Sequence, residues 1–196
     1  MIKIFSILLL AAVPARAFDL PALDAAAVRT VEFSAPAPEA RGLGQNVWLS
    51  VTNNSSFREA RASDWNNRIE AEVRGNFPDR FDVNLRADYA NTWGTIGKSG
   101  SSYNFFGSGM NLYMSGSNGH YFVNGSFFEN GKSYHVNVNL SCPDPFSGNA
   151  YGSGLNLFVS RGSISGWFEA EKLPKKAVAA VTAFILALQV EAGTPR

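Results

Sequence analysis

Residues 128–140 read FENGKSYHVNVNL, and this stretch is the clearest indication of the fold. From residue 134 onward apolar and polar side chains alternate, which is the period-two pattern of a strand that buries one face. Just before this run, Asn130-Gly131 is a pair that tolerates the positive φ angles at both central positions of a type I′ turn. The stretch therefore predicts two antiparallel strands joined by a tight hairpin turn.

The same alternation extends on both sides of this hairpin, across residues 42–171. Short runs with one apolar and one polar face, such as residues 68–74 and 81–86, are separated by Gly, Asn, Ser and Pro. Runs of this kind are typical of antiparallel β-structure, in which one face of the sheet is buried and the other is solvated.

Two segments of this region depart from the alternation. A short helix is expected near Phe57 to Ala62, because Ser56 and Glu59 have the spacing of a capping box. A long, aromatic-bearing loop is expected from Tyr89 to Gly109, and connections of such length are often functional.

Three stretches share one pattern: residues 42–50, 107–115 and 152–160. Each begins with two glycines that are two positions apart. An Asn, an aliphatic residue, an aromatic residue, a second aliphatic residue and a Ser follow, and we call these the glycine-led stretches. Each glycine-led stretch is followed by a second strand-like run, and the first two are also followed by a third. The three stretches and their five following runs indicate a threefold repeat with eight strands. Residues 28–33 would add a ninth. Eight sequential antiparallel strands are enough to close an up-and-down barrel. The sequence therefore predicts a mainly β fold, an antiparallel meander of about eight strands in a closed or nearly closed barrel.

The pattern changes in residues 172–196, where a C-terminal helix is predicted. Between residues 177 and 190 only Thr182 and Gln189 are polar, Pro174 fits a first helical turn, and Gly193 is a stop signal. A helix that is apolar on all sides is normally buried by protein, so we expect it to pack on the barrel or to cap it. A membrane-associated tail, assisted by the preceding lysines, is the alternative.

The N-terminal residues 1–17 have the pattern of a secretory signal peptide. Lys3 supplies the positive start, residues 4–13 are apolar, and Ala15-Arg16-Ala17 is a small-residue cleavage site. We therefore expect export across the inner membrane, to the periplasm or the medium; a buried N-terminal helix is the alternative. Residues 18–41 are an Ala/Pro-rich lead-in.

Cys142 is the one cysteine, in a turn-like stretch, so no internal disulfide is expected.

Composition excludes several classes of function. With 17 basic and 16 acidic side chains, the chain lacks the bulk positive charge of a nonspecific nucleic-acid binder. No His, Cys, Asp and Glu cluster has metal-ligand spacing, and the Gly-Ser-Gly segments at residues 107–109 and 152–154 open strands rather than a strand-to-helix turn. We therefore expect no metal, no cofactor and no catalytic residues.

A candidate binding surface follows from strand parity in the glycine-led stretches, because their aromatic residues share a face with the preceding Asn. Aromatic rings supply apolar area and amides supply orientation, as in sites for carbohydrates or amphipathic ligands. In the alternative interpretation, the rings form a second packed layer. With one tryptophan from the expected loop, the candidate binding residues are Trp48, Tyr113, Phe158, Asn46, Asn111, Asn156 and Trp93.

These features predict an exported, non-enzymatic β-domain protein that binds a small amphipathic or carbohydrate ligand, or another envelope component. A small outer-membrane barrel is one alternative, although most runs are shorter than the roughly 9–11 residues of a spanning strand. An envelope hydrolase that uses strand carboxylates, such as Glu70 or Glu72 with Asp82, is the other.

Overall fold

The computed structural model describes residues 44–107 and 109–193, and of Phe77 only the backbone. The predicted signal peptide, the lead-in with its strand-like run 28–33, and residues 194–196 lie outside the described residues. Within them the backbone forms twelve strands, one 3₁₀ turn at Ser55–Phe57 and the helix α1, Lys175–Ala192. The strands are β1 Gln45–Asn54, β2 Glu59–Asp64, β3 Ile69–Phe77, β4 Arg80–Ala87, β5 Ala90–Ser99, β6 Ser102–Gly107, β7 Met110–Ser117, β8 His120–Glu129, β9 Lys132–Asp144, β10 Ser147–Gly152, β11 Leu155–Ser160 and β12 Ser163–Phe168.

The strands form a closed up-and-down barrel. Each strand pairs antiparallel with the next one along the chain, and β12 pairs with β1 to close the sheet. The predicted hairpin at residues 130–131 is present, with positive φ at Asn130 (49°) and Gly131 (78°), as a type I′ turn requires. The predicted fold class, a mainly β antiparallel barrel with a C-terminal helix, is confirmed, with twelve strands instead of about eight.

Four strands were missed by the sequence prediction: β2, β5, β6 and β10. The predicted helix at residues 57–62 is wrong, because Ala60 and Ala62 point inward as alternate residues of β2. The predicted loop from Tyr89 to Gly109 is also wrong, since it contains β5 and β6. Cys142 belongs to β9 and is buried, not part of a turn.

The three glycine-led stretches all contain a strand, namely β1, β7 and β11, with the aliphatic residues inside and the intervening residues outside. They are six, four and two strands apart around the barrel, so the strand order contains no repeating unit of three strands. All three are odd-numbered strands and therefore run in the same direction.

Helix α1 lies inside the barrel. All fourteen side chains from Ala177 to Val190 are buried, which leaves no side of the helix facing water. At the start of the helix, its first residue is bonded to the β4–β5 turn: Lys175 Nζ donates to Asp88 Oδ1 at 2.6 Å. At the opposite end of the barrel, Tyr103 Oη donates to Glu191 Oε2 at 2.5 Å. The helix therefore packs on the inner face of the sheet and runs through the lumen from end to end.

Side-chain size explains how the lumen is filled. The helix lies against β2, β3 and β4, where the inward residues include Ala60, Ala62 and Ala71. Larger inward side chains on the remaining strands, including Phe105 and Met114, reach across the remaining space and join the helix in one core cluster. No helix among the described residues has the length and hydrophobicity needed to cross a membrane.

Candidate functional site

The outer surface of the barrel divides into two parts, of which the first is charged. The outward positions of β2, β3 and β4 carry Glu59, Arg61, Glu70, Glu72, Arg74, Arg80, Asp82 and Arg86. Opposite charges pair on these strands: Arg61 of β2 with Glu70 of β3 at 2.9 Å, and Arg74 with Glu72, two positions apart on β3, at 2.7 Å. The arginines of these pairs are exposed and the glutamates are largely covered, so these are ion pairs at the barrel surface.

The second part, which we call the neutral face, consists of the outward positions of β5 to β12 and β1. None of these described positions holds Asp, Glu, Lys or Arg; they hold Asn, Ser, Thr, Gly, His, Pro and aromatic residues. The charged residues of these nine strands are Lys98, which points inward to Glu191, and Glu129, Lys132 and Asp144, each the terminal residue of its strand.

Large apolar side chains on the described surface are all aromatic. Eleven such residues are exposed, and no Leu, Ile, Val or Met is among them. Eight lie on the neutral face: Trp48, Trp93, Phe106, Phe122, Phe128, Tyr151, Phe158 and Trp167. Since aliphatic side chains are confined to the interior, these rings are not scattered core residues, and their flat faces are available for stacking.

Four of these rings form a first aromatic row on β1, β12, β11 and β10: Trp48, Trp167, Phe158 and Tyr151. Trp167 stands opposite Asn46 and Asn156, whereas Trp48 and Phe158 both stand opposite Ser165. Successive rings are thus diagonal neighbours, roughly 7–8 Å apart at the backbone. Asn46, Asn149 and Asn156 fill the positions between them, so each ring has an amide beside it.

A second aromatic row crosses β5, β6, β7 and β8: Trp93, Phe106, Tyr113 and Phe122. Again each ring is diagonal to the next. Phe106 stands opposite Asn111, two positions before Tyr113, and Tyr113 stands opposite Asn104 on β6 and Asn124 on β8, two positions from Phe106 and Phe122. Tyr113 is half-buried, and its hydroxyl lies 2.7 Å from Ser102 Oγ. The two rows are separated by β9, whose described outward residues, such as His135 and Asn139, include no aromatic side chain.

All seven sequence-predicted binding residues point outward on the neutral face. Asn46, Trp48, Asn156 and Phe158 fall in or beside the first row, and Trp93, Asn111 and Tyr113 in or beside the second. The alternative of a second packed layer does not fit Trp48 and Phe158, which are 64% and 55% exposed, whereas Tyr113 is half-buried. The sequence prediction missed Trp167, Tyr151, Phe106 and Phe122; alternation along residues 163–168 could have identified the first of them.

The first row is held in place by its surroundings. Asp64 accepts from the backbone N–H of Trp48 at 2.8 Å and from the amide of Asn67 at 2.7 Å. Burial acts to raise the pKa of Asp64, but these hydrogen bonds outweigh it and hold the pKa below its ordinary value. The ring of Trp167 lies over Gly44, where a Cβ would stand 2.9 Å from the ring. The glycine before β1 therefore makes room for a ring of the row.

A mixed-charge cleft of about 200 Å³ lies outside the neutral face, at the β2–β3 and β4–β5 turns. Trp65, Arg68 and Tyr89 line it, and the Arg68 guanidinium stands 4.5 Å from the centre of the Tyr89 ring. Its aromatic residues are as exposed as those of the two rows but lie among charged groups, which makes them useful controls.

The carboxylates considered for hydrolysis are all engaged: Glu70 with Arg61 at 2.9 Å, Glu72 with Arg74 at 2.7 Å, and Asp82 with the amide of Asn76 at 2.8 Å. Glu72 is diagonal to Asp82, and Glu70 is two positions further along β3. Among the described residues, no three His, Cys, Asp or Glu side chains form a group that could hold a metal ion.

The chain matches no protein-family model, and no curated protein and no solved structure is significantly similar to it. A fold by itself does not define a function. The function of this barrel is therefore inferred from its own surface.

Proposed function

We propose that the protein is an exported, non-enzymatic binding protein that holds a neutral carbohydrate on the outer surface of its barrel. The observation that carries this proposal is the neutral face, where every exposed large apolar side chain is aromatic and amides stand between the rings. Export rests on the signal-like residues 1–17. An exported protein of this kind meets the polysaccharides of the envelope or of the surroundings.

The chemistry of the neutral face suits a sugar better than it suits a lipid or a charged ligand. A pyranose presents a C–H face that stacks on an aromatic ring and hydroxyl groups that bond to amides such as Asn46 and Asn156. A phosphate or carboxylate ligand requires cationic donors, and the outward positions of these nine strands have no Lys or Arg.

The occupied lumen favours the outside of the barrel as the binding surface. Barrels that bind a small molecule internally need free space between their inner side chains. Here the side chains of α1 and the inward strand residues form one continuous core. An amphipathic ligand inside the barrel is therefore not supported, and the carbohydrate alternative is preferred.

An outer-membrane barrel remains the second candidate, because the closed antiparallel sheet is compatible with it. Its outward residues would then face lipid, where Arg or Lys at mid-depth costs ~2–4 kcal/mol. Arg61 and Arg74 occupy such outward positions on β2 and β3, and amides cover much of the remaining surface. The outer surface therefore favours the carbohydrate-binding proposal.

The test is binding to a panel of neutral polysaccharides, comprising amorphous cellulose, chitin, xylan and mixed-linkage β-glucan, with polygalacturonate as the charged comparison. We expect binding to at least one neutral member. The triple variant Trp48→Ala, Trp93→Ala, Phe158→Ala should bind at least about 30-fold more weakly, because truncating one central aromatic contact typically costs ~2 kcal/mol. Amorphous and soluble chains should be preferred over crystalline faces, since the barrel surface is convex.

Trp65→Ala is the matched control, because Trp65 is 76% exposed but lies in the mixed-charge cleft. It should bind like the unmodified protein. The proposal fails if the protein binds none of the neutral polysaccharides, or if the triple variant, folded as judged by thermal unfolding, binds as tightly as the unmodified protein.

A further inference from the structure

The two aromatic rows face different directions. Twelve strands complete the circle of the barrel, so that each strand turns the outward normal by about 30°. The centre of the first row lies between β11 and β12, and that of the second between β6 and β7. These centres are five strands apart, so the rows face about 150° away from each other.

Each row is bordered by strands whose described side chains include no outward aromatic residue. On one side they are separated by β9, whose described outward positions hold small and polar residues together with His135. On the other side, β2, β3 and β4 separate Trp48 from Trp93 with charged side chains. A stiff glycan segment stacked on one row therefore runs off the curved surface before it reaches the other.

The two rows have similar composition. The first row has two tryptophans, one phenylalanine and one tyrosine, and the second has one tryptophan, two phenylalanines and one tyrosine. Each has three asparagines between or beside the rings: Asn46, Asn149 and Asn156 in the first row, and Asn104, Asn111 and Asn124 in the second. Neither contains a charged side chain. The same ligand chemistry therefore fits both.

We infer that the barrel carries two independent binding sites for segments of a neutral glycan, and that it cross-links glycan chains; this inference rests on the proposed function. The helix in the lumen packs against the sheet and fixes the barrel that separates the sites. A polymer held at two sites is bound more tightly than its single segments, typically by a factor of 10²–10⁴.

The experiment is calorimetric titration with cellohexaose, chitohexaose and xylohexaose in parallel, together with the sedimentation of beads coated with the corresponding polysaccharide. We expect two hexasaccharides per protein. The first-row variant (Trp48→Ala, Phe158→Ala) and the second-row variant (Trp93→Ala, Phe106→Ala) should each bind one. Both should lose bead cross-linking and about 100-fold of the affinity for the polymer.

The matched control is Trp65→Ala with Tyr89→Ala, which removes two exposed rings of the mixed-charge cleft and should leave the stoichiometry at two. A stoichiometry of one, with one of the row variants behaving like the unmodified protein, overturns bivalence and leaves the proposed function standing. Failure of every hexasaccharide and every coated bead to bind overturns the proposed function and bivalence together. Unfolding curves of all variants test whether the substitutions of these exposed residues preserve the fold.

Discussion

Thr182 is the polar residue most deeply placed in the core. It lies in the middle of α1, is fully buried, and its hydroxyl has no hydrogen-bond partner. Gln189, the other polar residue of the helix interior, accepts from Asn53 at 3.2 Å and donates to the carbonyl of Pro145 at 3.1 Å. A buried hydroxyl without a partner typically costs ~1–3 kcal/mol. Thr182 therefore destabilises the packed lumen, whereas Gln189 is compensated.

Replacing Thr182 by Val should stabilise the protein, since the two side chains have nearly the same volume and Val has no hydroxyl to desolvate. We expect the free energy of unfolding to rise by about 1 kcal/mol and the melting temperature by roughly 2–4 °C. Urea unfolding measures the first and calorimetry the second. Thr52→Val, at an exposed position of β1, should change neither. A loss of stability in Thr182→Val would mean that the hydroxyl is satisfied.

Cys142 illustrates a residue whose sequence context was misleading. Prolines at positions 143 and 145 suggest a turn, yet Cys142 is an inward residue of β9. Burial, and then the nearby carboxylate of Asp144, raises the pKa of its thiol to about 11. Because the thiolate is the reactive form, the raised pKa and the burial of the side chain both disfavour a reactive thiol, and Cys142 packs as a small residue of the core.

At the scale of the element, the C-terminal end of α1 is attached to the barrel through a small polar cluster. Glu191 accepts from Tyr103 at 2.5 Å and from Lys98, and the ring of Tyr121 meets that of Tyr103 edge-on at 6.4 Å. Burial is the main cause that raises the pKa of Tyr103, and the hydrogen bond to Glu191 adds to it. The neutral phenol is thus the form that the folded state stabilises.

This cluster predicts that stability falls at high pH. In the unfolded chain tyrosine loses its proton near its ordinary pKa of 10, whereas folded Tyr103 keeps it. Above about pH 10 the unfolded state therefore binds fewer protons, and the free energy of unfolding decreases as pH rises. Tyr121 and Cys142 also have raised pKa values and act in the same direction.

Between pH 9 and 11.5, the free energy of unfolding of Tyr103→Phe should accordingly decline less steeply than that of the unmodified protein. At pH 8 this variant should be the less stable of the two, because it lacks the hydrogen bond to Glu191. Denaturant titrations across this range measure the slope. Tyr89→Phe, at an exposed turn, should reproduce the unmodified profile. Parallel profiles for Tyr103→Phe and the unmodified protein would contradict the assignment.

The strands that could be predicted from the sequence differ physically from those that could not. In β3, β4 and β9 the outward residues are mostly polar and the inward ones mostly apolar, so the alternation is plain. In β5, β6 and β10 the outward residues include aromatic rings, for example Phe106 beside inward Phe105, and the apolar–polar contrast disappears. β1, β7 and β11 carry outward rings as well, and they were recognised from their shared glycine-led pattern and not from the alternation. In β2 the small inward alanines were read as part of a helix.

At the scale of the whole molecule, strand number decides where the helix can lie. The helix itself could be predicted from residues 177–190, because a helix that is apolar on every side must be buried. Its place inside the barrel could not be predicted, since an eight-stranded barrel is filled by its own side chains, whereas twelve strands enclose a wider lumen. The division of the seven candidate residues into two rows likewise depends on strand count and register, which no single stretch of sequence contains.

The resulting architecture confines large aliphatic side chains to the inside of the sheet, whereas aromatic side chains lie on both sides of it. Aliphatic residues and the helix lie within the barrel, and the eight exposed rings of the neutral face lie outside it. Both proposals depend on this separation, because rings that were buried would be core residues and not binding residues.

Hydroxyl-radical footprinting read by mass spectrometry tests this separation most directly, because methionine and tryptophan both oxidise readily when water reaches them. We predict rapid oxidation of Trp48 and Trp93, which are 64% and 67% exposed, and slow oxidation of Met110 and Met114, which are 4% and 0% exposed. With a neutral polysaccharide bound, Trp48 and Trp93 should become protected, while Trp65 should not. Rapid oxidation of Met114 together with protection of Trp48 in the free protein would contradict the account.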